Sequence, residues 1–233
     1  MKTLFTITLL FVATTFFNTA TSATKLSKAE KEGIQLMREE EKLAHDVYVF
    51  LYKKWNLRIF NNISNAETRH FEAVGYLIET YNLKDNAKED AGDFNNKKLQ
   101  ELYDSLTEKG SESLTAALEV GALIEEVDID DLQRLLAANP DSVIAGVYQN
   151  LLRGSENHLR AFTGQLESRD AKYTPSVLSE TEFNRILAGT HQKGDPGNCV
   201  LQQNNCRSQK NNRGRNRRNG HGRMCGQNRW NQN

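Results

Sequence analysis

Four stretches of this chain place polar side chains on helix faces that the surrounding pattern reserves for the core. In the first stretch, apolar residues recur at steps of three and four from Ile34 to Trp55, and Glu41 falls on the same face. Buried carboxylates and imidazoles are costly unless something pairs them, and a metal centre inside a four-helix bundle would do so. The corresponding positions of the three later stretches are Glu67 with His70, Glu125, and Ser155 with His158.

The spacing within the second stretch explains why a metal is a chemically reasonable partner. Glu67 and His70 are three residues apart, so a helix directs both side chains to the same side. Oxygen-rich sites that also contain imidazole suit iron or manganese, whereas thiolates favour softer metals. The three cysteines (Cys199, Cys206 and Cys225) all lie near the carboxyl terminus, outside these stretches. Their odd number leaves any disulfide pairing open.

The hydrophobic periodicity predicts an all-α fold, because apolar residues recur at helical spacing and no strand-like alternation occurs. Ser27, Ser64 and Ser179 are predicted N-caps, since each has a glutamate three residues later. A short link joins the first two long helices, so they should form one antiparallel hairpin. A second short link should make another hairpin of the last two long helices. A long crossover joins the hairpins. The predicted helices cover residues 27–55, 64–81, 97–108, 111–138, 142–168 and 179–187.

Composition divides the chain into three parts. Residues 1–23 combine a basic start, an apolar run and a small-residue end, which predicts a signal peptide cleaved near Ala23. Residues 24–188 form one acidic domain with a net charge of −9. Residues 189–233 are rich in Asn, Arg and Gly and have a net charge of +8, which is typical of a disordered basic tail. We therefore expect a secreted or periplasmic protein that is not transmembrane after cleavage.

Several strings within residues 27–168 resemble a known family. They run from Arg38 to Tyr48, from Ala66 to His70, from Val120 to Ile129 and from Gly154 to Phe162. The domain resembles the ferritin-like superfamily and, within it, an uncharacterised bacterial branch, the domain of unknown function 2202 family. This resemblance implies a ferritin-like four-helix bundle with a long crossover between helices 2 and 3. It also implies a metal centre, most simply di-iron with manganese as the alternative, whose ligands are Glu41, Glu67, His70, Glu125 and His158.

One position departs from the ferritin-like pattern, in which Glu would precede the second histidine by three residues. This chain has Ser155 there, so the centre is one carboxylate short. Asp128 or Glu156 could replace it, a water could fill the gap, or one metal could bind alone; Asp128 is the preferred substitute. Tyr48 lies seven residues after Glu41 and could contact a metal-bound oxidant, although a core tyrosine is the simpler interpretation. The remaining acidic neighbours are expected on a solvated face or behind the ligands: Glu39, Glu40 and Glu126.

Two functional classes follow from these observations. The first is an exported metal-binding protein that reacts with oxygen or peroxide in metal oxidation, storage or oxidant scavenging. It would be an oxidoreductase of the ferroxidase or peroxide-reducing type. The second is a non-enzymatic helical scaffold whose basic tail contacts polyanionic surfaces, with no specific nucleic acid expected. A hydrolase is disfavoured because no Gly-x-Ser-x-Gly or Walker motif is present.

Overall fold

The computed structural model describes residues 25–189, and all regular structure in that range is helical. The predicted signal peptide and the predicted basic tail beyond Gly189 lie outside the described residues. The six helices are α1 (Lys28–Trp55), α2 (Arg58–Thr80), α3 (Lys97–Gly110), α4 (Leu114–Ala137), α5 (Ser142–Glu167) and α6 (Glu180–Ala188). The all-α prediction is therefore confirmed. Within this range, no helix combines the length and apolar character that a membrane crossing requires.

Most helix ends agree with the sequence signals. Ser27 caps α1 in a capping box with Glu30, and Ser179 caps α6 by accepting a hydrogen bond from the Glu182 N–H. The predicted start of the second helix is wrong, because α2 begins six residues before Ser64. Ser64 instead donates its hydroxyl hydrogen bond to the carbonyl of Asn61 inside the helix. A Ser-x-x-Glu sequence in a helix interior cannot be distinguished by sequence from the same residues at an N-cap.

Four long helices build the bundle. Helix α1 packs along α2 and α4 packs along α5, while α2 contacts α5 and α1 contacts α4. Only two residues connect α1 to α2, so the chain must reverse there; Asn56 makes this possible in the left-handed conformation, with φ of 50°. Helix α3 lies in the long connection between α2 and α4 and packs on α1 and α4.

The core consists of two apolar clusters separated along the bundle axis. The first contains Tyr48 and Phe60 and the second contains Met37 and Leu77. Along α2 and α4 the chain passes from the first cluster to the second, and along α1 and α5 it passes in the opposite sense. The connection of residues 81–113 therefore returns along the bundle. The predicted ligands lie at the level between the two clusters, where all four long helices meet.

Candidate metal centre

Five of the predicted site residues converge between the two apolar clusters, and we call them the central cluster. Each long helix contributes at least one side chain, and α2 contributes two because its members lie one turn apart. The three carboxylates are completely or almost completely buried, and the two imidazoles are only slightly exposed. The members of the central cluster are Glu41, Glu67, His70, Glu125 and His158.

Glu67 lies at the middle of the central cluster. Its Oε2 atom is 2.7 Å from Nδ1 of His70, and its Oε1 atom is 2.8 Å from Nδ1 of His158. The two imidazole rings are stacked, with their centroids 5.6 Å apart. One carboxylate thus faces two imidazole nitrogens, one through each of its oxygens.

The two remaining carboxylates complete the cluster on either side. Oε2 of Glu41 is 3.3 Å from Nδ1 of His70, and Oε2 of Glu125 is 3.4 Å from Nδ1 of His158. The result is two groups of three donors, within each of which the ligand atoms lie within 4.8 Å of one another. Each group has one carboxylate and one imidazole of its own, and the two groups share Glu67.

The short distances in the central cluster do not have hydrogen-bonding geometry. Nδ1 of His70 and of His158 has no hydrogen-bond partner. Both oxygens of Glu41, Oε1 of Glu67 and Oε2 of Glu125 are likewise buried without one. Buried polar atoms are nearly always hydrogen-bonded in proteins, so a group of unpaired donors and acceptors at one point needs an explanation.

Burial and mutual charge displace the pKa values of these groups. Burial raises the pKa of the Glu41 carboxyl and that of the Glu125 carboxyl. Burial also favours the neutral form of Glu67, but the positive charges of His158 and His70 outweigh it and lower the pKa of that carboxyl. Burial opposes protonation of His70 and His158, yet the facing carboxylates raise the pKa of both imidazoles. The five groups therefore depend on one another for charge balance.

Two further predicted site residues, Tyr48 and Asp128, lie around the central cluster rather than in it. Tyr48 is completely buried, and its hydroxyl donates a 2.6 Å hydrogen bond to Oε1 of Glu125. The tyrosine therefore orients a candidate ligand and leaves the other oxygen of Glu125 free to face His158. Asp128 is buried but belongs to neither group of donors; it lines a cavity between α1, α3 and α4.

Ser155 occupies the position where the ferritin-like pattern has a carboxylate. It is buried, and its hydroxyl donates to the carbonyl of Leu151 within its own helix. Glu156 does not replace the missing ligand, because its carboxylate accepts a hydrogen bond from Arg185 of α6. The central cluster as it stands has one shared carboxylate, Glu67, and no second one from α5.

Glycines next to the cluster give its large rings room. A Cβ atom added at Gly154 would lie 2.4 Å from Cε1 and 2.5 Å from Nε2 of His70. A Cβ atom at Gly121 would lie 2.4 Å from Cε1 of Phe162, whose ring packs against Tyr48. Neither role was predictable from the sequence, because a glycine inside a helix has no signature that distinguishes close approach from chance.

The sequence predicts Glu39, Glu40 and Glu126 on a solvated face or behind the ligands. The solvated face is wrong, because all three are buried. Oε2 of Glu126 accepts hydrogen bonds from the Tyr173 hydroxyl and the Ser176 N–H, which fixes the segment before α6. The heptad pattern of α4 could not reveal this role, since the covering segment comes from a distant part of the chain.

Comparison with known proteins identifies the family. The family model described as "Uncharacterized protein domain (DUF2202)" matches residues 30–190, and the chain belongs to this family. It is 47% identical over 170 residues to the uncharacterized protein MJ0754 of the archaeon Methanocaldococcus jannaschii, covering 72% of this chain and 92% of that protein. The predicted family is confirmed, but not its restriction to bacteria.

A solved structure supports the same relationship. The crystal structure of the hypothetical protein MJ0754 from Methanococcus jannaschii matches with a TM-score of 0.70 and 46% sequence identity. The match covers 72% of this chain and 96% of that one. The names of these matched proteins state no activity.

Proposed function

We propose that this protein is an exported, ferritin-like metal-binding protein with a carboxylate-bridged dinuclear centre of iron or manganese. Its role would be metal oxidation, storage or oxidant scavenging. The observation that carries the proposal is the position of Glu67, which offers one oxygen to each of two donor groups. A single carboxylate that faces two nitrogen donors in this way is the geometry of a bridging ligand.

The residues present fit such a centre. Buried carboxylate oxygens and imidazole nitrogens lack hydrogen-bond partners at one level of the bundle, and two divalent cations would satisfy them. The donor set contains oxygen and nitrogen but no sulfur. Each cation would receive one terminal carboxylate, one imidazole and one oxygen of Glu67. Ser155 would supply no carboxylate to these cations, since its hydroxyl donates to the carbonyl of Leu151.

The surrounding residues perform three tasks in this proposal. Tyr48 donates to Glu125 and holds its second oxygen toward His158. Gly154 allows the imidazole of His70 to lie against α5. The two apolar clusters exclude water above and below the cluster, which strengthens the electrostatic interactions inside it. A bound redox-active metal would supply electron exchange with oxygen or peroxide.

The directions of the helices in the bundle add support for the ferritin-like assignment. Helices α2 and α4 run in the same sense past the central cluster, and residues 81–113 connect them. Two hairpins joined by one long return segment are the arrangement of ferritin-like bundles. Export to a secreted or periplasmic location is part of the proposal and rests on the sequence of residues 1–23.

Elemental analysis of the purified full-length protein tests the proposal. We expect iron or manganese near two ions per chain in the wild type and loss of most metal in Glu67→Ala. Glu156→Ala is the matched control, because it also removes a buried carboxylate but one that faces Arg185 outside the central cluster. Metal-free wild-type protein after supply of both metals, or unchanged metal in folded Glu67→Ala, would contradict the proposal and favour the scaffold alternative.

A further inference from the structure

A cavity of about 200 Å³ lies between α1, α3 and α4, outside the central cluster. Aliphatic side chains form nearly all of its wall, with Leu99 and Leu102 contributed by α3 and further leucine, isoleucine and valine side chains by α1 and α4. Two carboxylates, Glu40 of α1 and Asp128 of α4, are its ionisable wall residues. A pocket with apolar walls and a few polar groups is the usual form of a small-molecule site.

The two carboxylates of the cavity are buried, and one of them has an oxygen without a hydrogen-bond partner. Glu40 is 7% exposed and Asp128 is 3% exposed, so both are removed from bulk water. Oε2 of Glu40 is completely buried and has no hydrogen-bond partner. The nearby guanidinium of Arg134 is largely exposed and pairs with Asp131 on its own helix. The cavity therefore presents acidic groups without a buried cation of the protein to match them.

We infer that this cavity binds a small organic cation with an apolar body, of the alkylammonium class. The ammonium group would donate to Glu40 and Asp128, and the alkyl chain would contact the leucines of α3. A metal ion fits less well, because aliphatic walls supply none of the further oxygen ligands that it requires. A neutral apolar molecule would leave Oε2 of Glu40 unpaired. This inference goes beyond the proposed function, since the cavity does not need a metal in the central cluster.

Two ligands of nearly equal shape test the inference on the full-length chain. The probes are n-butylammonium and n-butanol, titrated against protein with labelled leucine methyl groups above neutral pH, both before and after metal chelation. We expect n-butylammonium to shift the methyl signals of Leu99, Leu102 and Leu106 and to bind on the order of tenfold more tightly than n-butanol. Glu40→Gln should reduce this ratio to near unity while n-butanol binding is retained. Glu101→Gln, an exposed change on α3, should leave the ratio unchanged.

The outcomes distinguish the inference from a general affinity for apolar or cationic molecules. Equal affinity of the two probes in the wild type would overturn it, and this comparison requires no variant to fold. A preference that persists in Glu40→Gln and Asp128→Asn would also overturn it, as would shifts confined to leucines outside the cavity. The preference for n-butylammonium should persist after chelation. Protein that takes up neither supplied metal but still prefers n-butylammonium would support the cavity while contradicting the proposed metal centre, so the two failures are separable.

Discussion

Helix α1 carries two buried charged clusters that differ in how their charges are matched. In the first, Nζ of Lys42 lies 2.5 Å from Oδ2 of Asp46 and donates to the carbonyl of Asp90 at 2.9 Å. The same Asp46 oxygen accepts from the Gly92 N–H at 2.9 Å. We call this the Lys42–Asp46 cluster. In the central cluster, both oxygens of Glu41 are buried without any hydrogen-bond partner.

This difference shows which buried charges the chain satisfies by itself. The Lys42–Asp46 cluster attaches the connection after α2 to the side of α1, and its members match one another. Its purpose is structural, and no external group is required. The central cluster collects carboxylates and imidazoles from four helices as ion pairs, but most of the facing oxygens and nitrogens have no hydrogen-bond partner. Burying charged groups costs several kcal/mol each unless the geometry satisfies them, and the proposed metal ions would offset that cost in the central cluster.

The largest expected effect on stability comes from breaking the Lys42–Asp46 cluster. Asp46→Ala would leave the ammonium of Lys42 buried without its carboxylate, and the free energy of unfolding should fall by about 3–5 kcal/mol. Denaturant titration of wild-type and variant protein measures this. If the account is right, the loss is the same with and without added metal. Replacing both partners, as in Lys42→Met with Asp46→Leu, should cost much less, and an equally large loss there would refute the pairing explanation.

A smaller effect is expected from crowding the central cluster. Gly154→Ala would press a methyl group against the imidazole of His70 and displace it, lowering metal affinity by about 10- to 100-fold. Gly164→Ala on the same helix is the control, because nothing lies within 4 Å of its added Cβ atom. Its metal affinity should equal that of the wild type. Competition with a chelator measures both, and equal affinities for the two variants would refute the positioning role of Gly154.

Tyr48→Phe should have a still smaller effect on the central cluster. The substitution removes the hydroxyl that donates to Oε1 of Glu125 but retains the aromatic ring packed on Phe162. Loss of one hydrogen bond to a ligand carboxylate should lower metal affinity by up to about tenfold. Chelator competition again provides the measurement. If affinity is unchanged while turnover with oxygen or peroxide disappears, Tyr48 acts in the redox reaction rather than as a positioning residue.

The smallest expected effect is on the pH dependence of stability, and it concerns Asp46 of the Lys42–Asp46 cluster. Burial alone would raise the pKa of the Asp46 carboxyl, but hydrogen bonds from His45, Gly92 and Lys42 outweigh it and lower that pKa below its ordinary value. The stabilisation is therefore present above the unfolded pKa of about 4 and is lost as the pH falls through the folded pKa. Asp46→Asn should lose this part of the acid dependence. Denaturant titrations between neutral pH and about pH 3 would show the variant approaching the wild type in acid, and a constant difference would contradict the assignment.

Part of this structure was predictable because helix periodicity is a strong signal. The caps at Ser27 and Ser179 and the bounds of α1 and α5 follow from local sequence, and the faces that carry Glu41 and Glu125 follow from heptad spacing. The start of α2 was not predictable, because Ser64 and the glutamate three residues later imitate a capping box inside the helix. Local sequence signals do not determine whether a serine lies at the start of a helix or in its interior.

Contacts between distant segments of the chain could not be predicted from the sequence, for a different reason. Whether Glu40 is exposed or buried depends on α3, which covers that side of α1 only after the long connection folds back. The contact between Gly154 and His70 likewise joins two helices that are far apart in the chain. Spacing within one helix identifies which face a residue occupies. It contains no information about which distant segment packs against that face.

Anomalous X-ray scattering from crystals of metal-supplied protein tests the central claim most directly. Data collected at the iron and manganese absorption edges should show two peaks on either side of the Glu67 carboxylate. One peak should lie near Glu41 and His70, and the other near Glu125 and His158. Absence of any peak there, with the carboxylates and imidazoles hydrogen-bonded to each other or to water instead, would contradict the account.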